Sequence, residues 1–462
     1  MEERKGFGSN FGFLMAAVGS AVGLGNIWGF PNKMGASGGF TFLIIYLILA
    51  VLCGFIVMVG ELAIGRKTGK GAVEAYHVLS KKFKWIGWMG ILSAFFILFF
   101  YCALGGYCIK YVVLNVGDLF NAGFGSNALA AVADANGTSV GAEVFGAFLG
   151  NPTEAIIYGL IFVALTMLIV LGGVGGGIEK VCSVGMPALF VMLLICIIRA
   201  CTLPGAVEGL KYMFVPGWAV ANGIIEEAPN FLTVLSTAGG QMFFSLSLAM
   251  GAMITYGSYL SKYENLKKNS VVIVVADTTI ALMAGLAVIP AAVANGIANG
   301  IAYADISLSG PKLLFVTLQD VFAEMGSIGP LFGIIFYLLV LIAAISSAIS
   351  LIEVISAFFM DDAAKKGKEL KREKVVFRVC IAITIEALLV AIDGLGASGI
   401  FKFWGTDAWN DCFLDFMDCW SEGVAMPLGA MLMAVMVGWE LKVTPILEEI
   451  DIGSKKSSAF DT

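Results

Sequence analysis

Charged residues are scarce in this sequence, and histidine is almost absent. Asp, Glu, Lys and Arg make up 13% of the 462 residues, whereas hydrophobic residues make up 59%. So few polar side chains cannot cover a water-soluble globule of this size, which excludes a protein whose solvent is mainly water. The net charge of −6 is spread over many loops, which argues against a nucleic-acid partner. The composition predicts a chain embedded largely in lipid.

Residues for metal or nucleophilic chemistry are also scarce. The one histidine, His77, lies in a short loop, and the nine cysteines show no metal-ligand spacing. Most cysteines lie in or beside apolar segments, where buried free thiols are expected. Cys412 and Cys419 flank a loop and are the two that could form a disulfide. With no metal-ligand cluster and no activated serine evident in the sequence, we do not expect an enzyme.

Apolar runs divide the chain into ten predicted helices, since a helix needs roughly 20 residues to cross a bilayer core. They cover residues 10–31, 39–64, 86–115, 154–173, 181–203, 236–260, 269–298, 329–360, 375–395 and 413–438. Helices are expected rather than open strands, because lipid offers no partners for unpaired backbone groups. The sequence therefore predicts an all-α polytopic membrane protein with a single domain over 1–462.

The distribution of lysine and arginine predicts the orientation. One set of alternate loops collects most of the basic residues, including the cluster between Lys365 and Lys374. The other set holds only Lys33, Lys110, Arg199, Lys211, Lys312 and Lys402. The positive-inside rule then places the amino terminus in the cytoplasm, and an even number of helices returns the carboxyl terminus there. We expect a multi-pass protein of the cell membrane with a cytoplasmic tail at 439–462.

Two predicted helices contain polar, glycine-rich interruptions. They lie at 19–26 in helix 1 and at 245–251 in helix 6, equivalent positions in a five-plus-five chain. Such a pair predicts inverted repeats, here 1–203 and 236–438, with a binding site at the membrane midplane. An unwound segment frees carbonyls for a cation and exposes a helix N-terminus that attracts a carboxylate. The alternative is close helix packing through small residues, which Ser20 and Asn26 make less attractive.

Five motifs resemble the neurotransmitter:sodium symporters, in their bacterial amino-acid transporter branch. They are Gly19–Pro31 in helix 1, Gly60–Arg66 at the end of helix 2, Gln241–Ser247, Ala343–Ser347 and Leu414–Trp420. The matches keep the family's order and span nearly the whole chain. The resemblance implies a five-plus-five inverted-repeat fold with helices 1 and 6 unwound. It also implies a sodium-coupled symporter that imports a small amino acid or related amine by alternating access.

The resemblance implies two sodium sites beside the helix 1 interruption. One would use the carbonyl oxygens of Gly19, Val22 and Ala343 with the hydroxyls of Ser346 and Ser347. The other would use the Ala21 carbonyl, Asn26, Ser245 and Asp277. An acid such as Asp277 is costly within a lipid-spanning segment unless it is paired or faces water. Hard oxygen ligands suit an alkali cation, although adjacent serines can also bond to carbonyls of their own helix.

The resemblance also implies a substrate site between helices 1, 3, 6 and 8. Tyr101 and the backbone of Ala21, Gly23 and Gly25 would meet a carboxylate, with Ser245 close by. Ile97, Phe244, Ser247, Met250, Ser347 and Leu351 would line an apolar side-chain subsite, although each could equally be plain helix packing. Monoamine carriers of the family tend to have aspartate at the position of Gly23. Glycine there favours an amino acid substrate.

The same resemblance implies a gate on each side of the membrane. Arg4 with Asp361, aided by Ser258 and Tyr259, would close the cytoplasmic side, and Asp418 the outer side. The arginine that usually faces Asp418 is replaced by Gly29, so we expect Asp418 to lack its usual partner. Glu61 and Glu353 would belong to supporting networks away from the substrate.

Chloride dependence is not expected. Tyr46, Gln241 and Ser245 match the chloride ligands of chloride-requiring members, but the remaining hydroxyl position is Ala281. Asp277 already supplies a negative charge beside the same sodium, which would repel a second anion. Two rival functions stay open at this point. One is an ion channel lined by the broken helices, and the other is a carrier of the same fold that is coupled to protons or uncoupled.

Overall fold

The computed structural model describes residues 7–225, 227–306, 308–396, 398 and 412–457, and these residues form a bundle of helices. The principal helices are α1 (Asn10–Ala21), α2 (Gly25–Ala36), α3 (Phe40–Thr68), α4 (Lys84–Leu119), α5 (Pro152–Leu171), α6 (Val174–Cys201), α7 (Phe231–Ser245), α8 (Ala252–Gly257), α9 (Leu266–Ala298), α10 (Gly326–Lys365), α11 (Arg372–Asp393), α12 (Phe413–Glu440) and α13 (Thr444–Ser457). Shorter helices lie between them at Ala72–Leu79, Ala130–Asn136, Val140–Leu149, Ala206–Phe214, Trp218–Ala221 and Leu318–Glu324. We call the end of the bundle where α1 begins the Asn10 end, and the opposite end, where α2 finishes, the Lys33 end.

The described helices confirm an all-α membrane protein. Eight of them, α3 to α6 and α9 to α12, are long and apolar enough to cross a bilayer, and α1 with α2 makes a ninth span bent by 46°. The sixth predicted span, residues 236–260, consists of α7 and α8 with a non-helical segment at 246–251 between them. Both interruptions therefore lie in the helices in which the glycine and serine pattern predicts them. The division into repeats at 1–203 and 236–438 stays a prediction.

The interruption between α7 and α8 is held by contacts with two other helices. Ser247 and Ala249 have φ angles of 51° and 59°, which cost a non-glycine residue on the order of 1 kcal/mol or more. The Ser247 hydroxyl donates to the Ser20 carbonyl over 2.8 Å. The Ala249 amide donates to the Glu61 carboxylate over 2.6 Å. Because these partners satisfy polar groups that the helix leaves unpaired, the segment can stay non-helical inside the bundle.

Helix α4 forms the centre of the bundle and helices α5 and α6 its rim. In the apolar window of α4, 72% of the residues are buried, against 33% in α5 and in α6. Tyr101 and Tyr107 of α4 are buried, whereas Leu168 of α5 and Ile198 of α6 are exposed. Large apolar side chains facing outward on this scale are typical of helices in contact with lipid. The site described next lies along the inner helices, away from this rim.

All nine cysteines lie within the described residues and are free thiols. Cys412 is buried and Cys419 is exposed, so the disulfide that the sequence allows between them is not formed.

Candidate functional site

An oxygen-rich junction forms where α2, α3, α7 and α9 meet. The Asp277 carboxylate accepts from the Asn26 amide nitrogen over 2.7 Å and from the Ser245 hydroxyl over 2.9 Å. The Tyr46 hydroxyl lies 3.2 Å from the Ser245 hydroxyl, and the Asn26 amide oxygen accepts from the Gly23 backbone amide over 3.0 Å. The side chains of these four polar residues are buried. The structure thus brings together Asn26, Ser245 and Asp277, the side chains that the sequence predicts at one cation site.

A second group of oxygens surrounds the end of α1. The Ser346 hydroxyl donates to the Ala343 carbonyl over 2.9 Å and lies 3.4 Å from the Val22 carbonyl. The Ser347 hydroxyl lies 3.4 Å from the Gly19 carbonyl. The predicted ligands of the other cation site are therefore neighbours. The first of these bonds is the back-bond within one helix that the sequence leaves as an alternative, and the contacts to Val22 and Gly19 are additional.

The serine cluster extends beyond the residues singled out from the sequence. The Ser20 hydroxyl donates to the Ser350 hydroxyl over 2.8 Å, and the Ser347 hydroxyl donates to the Ser20 carbonyl over 3.0 Å. Ser350 lies one turn after Ser346 on α10, so its helical spacing is a signal that the sequence analysis missed. The cluster ties α10 to the end of α1 through buried hydroxyl groups.

The space around Gly23 is narrow and polar. A Cβ atom at this position would lie 2.2 Å from the Ser347 hydroxyl oxygen and 2.7 Å from the Tyr101 hydroxyl oxygen. A Cβ at Gly25 would lie 2.9 Å from the Phe244 ring. The ring centroids of Tyr101 and Phe244 are 6.2 Å apart, edge to face. Glycine at both positions therefore allows two aromatic side chains to close directly over the helix 1 backbone.

The remaining predicted substrate residues are buried in the same helices. Ala21 lies at the end of α1, and Ser247 and Met250 lie in the interruption between α7 and α8. Ile97 lies one helical turn before Tyr101 on α4, and Leu351 lies one helical turn after Ser347 on α10. Their roles in lining a substrate subsite stay a prediction.

A cavity of about 950 Å³ opens at the Asn10 end. Its lining includes Ser258, Tyr259 and Asp361, three residues of the predicted cytoplasmic gate. The Asp361 carboxylate accepts from the Gly71 backbone amide over 2.8 Å. Arg4, the predicted partner of Asp361, lies outside the described residues. The pairing of Arg4 with Asp361 therefore stays a prediction.

Two buried acids connect neighbouring segments around the site. Glu353 accepts from the Tyr259 hydroxyl over 2.6 Å and from the Arg372 guanidinium over 3.0 Å. Glu61 accepts from the Ala249 amide within the helix 6 interruption. The bonded partners named here lie outside the Gly23 environment, and the role of the two acids in supporting networks stays a prediction.

An ion pair at positions that the sequence does not single out lies at the Lys33 end. Lys33 of α2 binds the Glu422 carboxylate of α12. Lys33 lies four residues after Gly29, and Glu422 lies four residues after Asp418, the two positions that the sequence relates to an outer gate. An acid in the middle of the predicted tenth helix is itself a signal, because intramembrane acids are costly unless they are paired. The expectation that Asp418 lacks its usual partner concerns a different residue and stays a prediction.

Comparisons of the sequence and of the structure with known proteins agree on one family. The model of the sodium:neurotransmitter symporter family matches residues 4–120 and 147–458. The chain is 34% identical to the uncharacterized sodium-dependent transporter YhdH of Bacillus subtilis, over 98% of this chain and 91% of the relative. It is 31% identical to the uncharacterized sodium-dependent transporter MJ1319 of Methanocaldococcus jannaschii, over 95% of this chain and 82% of the relative. The crystal structure of MhsT in complex with L-phenylalanine matches with a TM-score of 0.81 and 34% identity, over 97% of this chain and 93% of that one.

Proposed function

Because the chain belongs to the sodium:neurotransmitter symporter family, we propose that it imports a small amino acid or related amine by sodium-coupled alternating access. At the coarser level the chain is a multi-pass membrane transporter of a sodium-dependent family, not an enzyme. The observation that carries the finer proposal is the pair of oxygen clusters that flank the end of α1. Carboxylate, hydroxyl and carbonyl oxygens are the ligands that hard cations prefer.

Two sodium ions would bind beside the unwound segment. One would replace the hydrogen bonds that Ser346 and Ser347 now make with α1 carbonyls, using the carbonyls of Gly19, Val22 and Ala343. The other would lie at the Asp277 carboxylate, with Asn26, Ser245 and the Ala21 carbonyl as further ligands. Because both sites include the end of α1, sodium binding would fix the backbone that the substrate must meet.

An amino acid fits the Gly23 environment better than a monoamine. No side chain at Gly23 or Gly25 competes for the helix 1 amides, and the hydroxyl of Tyr101 lies beside them. Backbone amides at a helix start and a phenol hydroxyl are donors, so they favour a carboxylate. The similar transporter MhsT was crystallised in complex with L-phenylalanine, which supports an amino acid as the class of substrate.

Chloride would not be required. The Asp277 carboxylate accepts hydrogen bonds from Asn26 and Ser245. A chloride-requiring protein would bind its anion close to this junction. Ala281 is buried one turn later and offers no hydroxyl. A second negative charge in this low-dielectric junction would be repelled by the first.

The Asn10 end would face the cytoplasm, and both termini would lie on that side of the cell membrane. The positive-inside distribution of basic residues supports this orientation. The cavity of about 950 Å³ at the Asn10 end, lined by Ser258, Tyr259 and Asp361, would then be the start of the cytoplasmic pathway. The outer pathway would open at the Lys33 end.

A thermal-shift screen of the purified protein tests the proposal. Each natural amino acid and a set of small amines would be added in sodium buffer and in matched choline buffer. We expect at least one amino acid to raise the melting temperature in sodium and to have no effect in choline. A proton-coupled carrier of the same fold would show the shift in both buffers. An ion channel would show no saturable shift with any amino acid.

A further inference from the structure

The ion pair between Lys33 and Glu422 is nearly withdrawn from solvent. Only 18% of the Lys33 side chain and 6% of the Glu422 side chain are exposed. The Lys33 ammonium also lies 5.8 Å from the centroid of the Phe244 ring, within the range of a cation–π contact. One lysine thus contacts both α12 and the aromatic side chain that covers Gly25.

We propose that this Lys33–Glu422 pair, the outer latch, closes the Lys33 end of the substrate site and must separate each time that end opens. The proposal rests on the proposed alternating-access function and adds the residues that control one side of it. The latch joins α2 from the predicted first repeat to α12 from the predicted second. Movement of these two helices apart would break it.

The geometry around Gly29 explains why the cation lies at position 33. A Cβ atom at Gly29 would lie 2.9 Å from the amide oxygen of Gln241. Gln241 is itself held, because its amide nitrogen donates to the Gly25 carbonyl over 2.7 Å. A long side chain at position 29 would have to displace Gln241 from the interrupted helix. Four residues later, Lys33 lies on the same face of the helix one turn nearer the Lys33 end, and no such displacement is needed.

Glu422 is displaced by one turn in the opposite direction on the partner helix. It lies one turn after Asp418 on α12, so it faces the same side of that helix from a deeper level. Its side chain packs against Gly240, where a Cβ atom would lie 3.2 Å from the carboxylate oxygen. The pair therefore occupies a slot between α2, α7 and α12, directly beside Phe244.

The burial of the latch suits a reversible closure. An exposed ion pair contributes little, because water stabilises its charges almost as well when they are apart. A mostly buried pair responds more strongly to opening, because the separated charges must either gain water or remain unpaired. Removing one partner should therefore shift the balance between closed and open forms at the Lys33 end.

Lys110 and Glu154 provide a matched control pair. They form an ion pair between α4 and α5, with 15% and 31% of their side chains exposed. Both helices belong to the predicted first repeat, so this pair does not bridge the two halves. Lys110→Gln should remove an ion pair of similar burial without affecting closure.

Hydrogen–deuterium exchange of the purified full chain, in sodium buffer without substrate, tests the latch. We expect Lys33→Gln and Glu422→Gln each to raise exchange in residues 25–36 and 241–251 about fivefold or more relative to the unmodified protein. Lys110→Gln should leave these segments unchanged. The charge-swapped variant Lys33→Glu with Glu422→Lys should return exchange towards that of the unmodified protein.

Two results would overturn the latch. One is unchanged exchange in Lys33→Gln, the less buried of the two positions and the variant expected to fold. The other is an increase that is uniform along the chain, including α5, because that would indicate general destabilisation. Because the exchange experiment uses no substrate, it tests the outer latch independently of the proposed amino acid substrate. If the amino acid screen finds no ligand while the exchange pattern holds, only the substrate assignment is wrong.

Discussion

The amide nitrogen of Asn26 donates to the carboxylate of Asp277 over 2.7 Å, and this bond joins the interruption of helix 1 to the middle of α9. The Ser245 hydroxyl, at the end of α7, binds the other oxygen of the same carboxylate over 2.9 Å. One acid therefore connects both interrupted helices. A charge at this position would act on the sodium ion proposed there and on the conformation of the proposed substrate site together.

Replacing chloride should not affect transport if Asp277 supplies the fixed negative charge. We expect uptake to be the same in sodium chloride and in sodium gluconate, because the carboxylate takes the place of the anion. Uptake of radiolabelled substrate into proteoliposomes measures this directly. Loss of uptake in gluconate would refute the charge-replacement argument.

Removal of the carboxylate should create a requirement for chloride. Asp277→Asn keeps the shape of the side chain but loses its charge, so sodium-dependent uptake should fall by about tenfold or more. Asp277→Asn combined with Ala281→Ser restores a hydroxyl one turn away, and uptake should recover in part only with chloride present. Ala281→Ser alone is the control and should leave uptake independent of chloride. Equal recovery of the double variant in gluconate would contradict the prediction.

A methyl group at Gly23 should weaken substrate binding. In Gly23→Ala the new Cβ atom would lie 2.2 Å from the Ser347 hydroxyl and 2.7 Å from the Tyr101 hydroxyl, so both must shift. Overpacking of this kind costs about 1–3 kcal/mol, which corresponds to a loss of affinity of roughly 5-fold to 150-fold. Equilibrium binding in sodium buffer measures the change.

Gly239→Ala is the matched control for this substitution. A Cβ atom at Gly239 has a single neighbour, a Leu49 methyl carbon 3.8 Å away, which is an ordinary contact. Affinity should therefore be unchanged in Gly239→Ala. Equal losses in the two variants would mean that the effect arises from helix packing and not from the substrate site.

The sequence predicts most of the fold, because lipid imposes strong rules on composition. Long apolar runs must be helices, and the glycine and serine residues at 19–26 and 245–251 mark the segments that are not regular helix. Asp277 could also be identified from the sequence, because an acid within a lipid-spanning segment is costly unless it is paired or faces water. These features depend on local composition, which the sequence shows directly.

Contacts between distant segments are harder to predict from one sequence. The ion pair of Lys33 with Glu422 spans 389 positions, and a gate pattern taken from relatives directs attention to Gly29 and Asp418 instead. Each charge lies one turn from the position that the pattern indicates, nearer the Lys33 end on α2 and deeper on α12, so a different pair of residues meets. The left-handed conformations of Ser247 and Ala249 also depend on partners far away in the chain, Ser20 and Glu61.

Restoring an arginine at Gly29 should impair transport. The Arg side chain would meet the Gln241 amide oxygen and compete with Lys33 for the acids of α12. We expect Gly29→Arg to lower the rate of uptake and to change substrate selectivity, measured as uptake of several labelled amino acids. Gly146→Arg is the control, because it adds the same side chain at an exposed glycine whose Cβ would meet no atom within 4 Å. Normal uptake with unchanged selectivity in Gly29→Arg would show that the slot beside Phe244 has no influence on the substrate.

The helix α13 should be held to the bundle by Glu449. The Glu449 carboxylate accepts from the buried Arg66 side chain over 2.8 Å and from Lys262 over 2.8 Å. Glu449→Gln leaves the Arg66 charge buried without its carboxylate and should destabilise the folded protein by roughly 3 kcal/mol. Lys267→Gln removes the more exposed pair with Asp451 on the same helix and should cost only about 0–1 kcal/mol. Thermal unfolding in detergent compares the two variants.

The same contact should make stability depend on pH. Burial raises the pKa of Glu449, but the hydrogen bonds and charges of Lys262 and Arg66 outweigh this effect and lower the pKa below its ordinary value. The stabilisation is therefore fully present above the ordinary pKa of a glutamate, about 4.3, and is lost as the pH falls through the lowered pKa. The difference in melting temperature between the unmodified protein and Glu449→Gln should narrow below about pH 4. A constant difference from pH 7 to pH 3 would contradict this assignment.

Concentrative uptake driven by a sodium gradient is the most direct test of the central claim. Proteoliposomes would be prepared with the purified protein and given an amino acid identified by the thermal-shift screen. With sodium outside, choline inside and an imposed potential of about 100 mV, inside negative, the substrate should accumulate above its external concentration, because each sodium ion that enters releases about 2.3 kcal/mol before any concentration difference is counted. With choline on both sides, accumulation should be absent. Undiminished accumulation in choline would contradict sodium coupling.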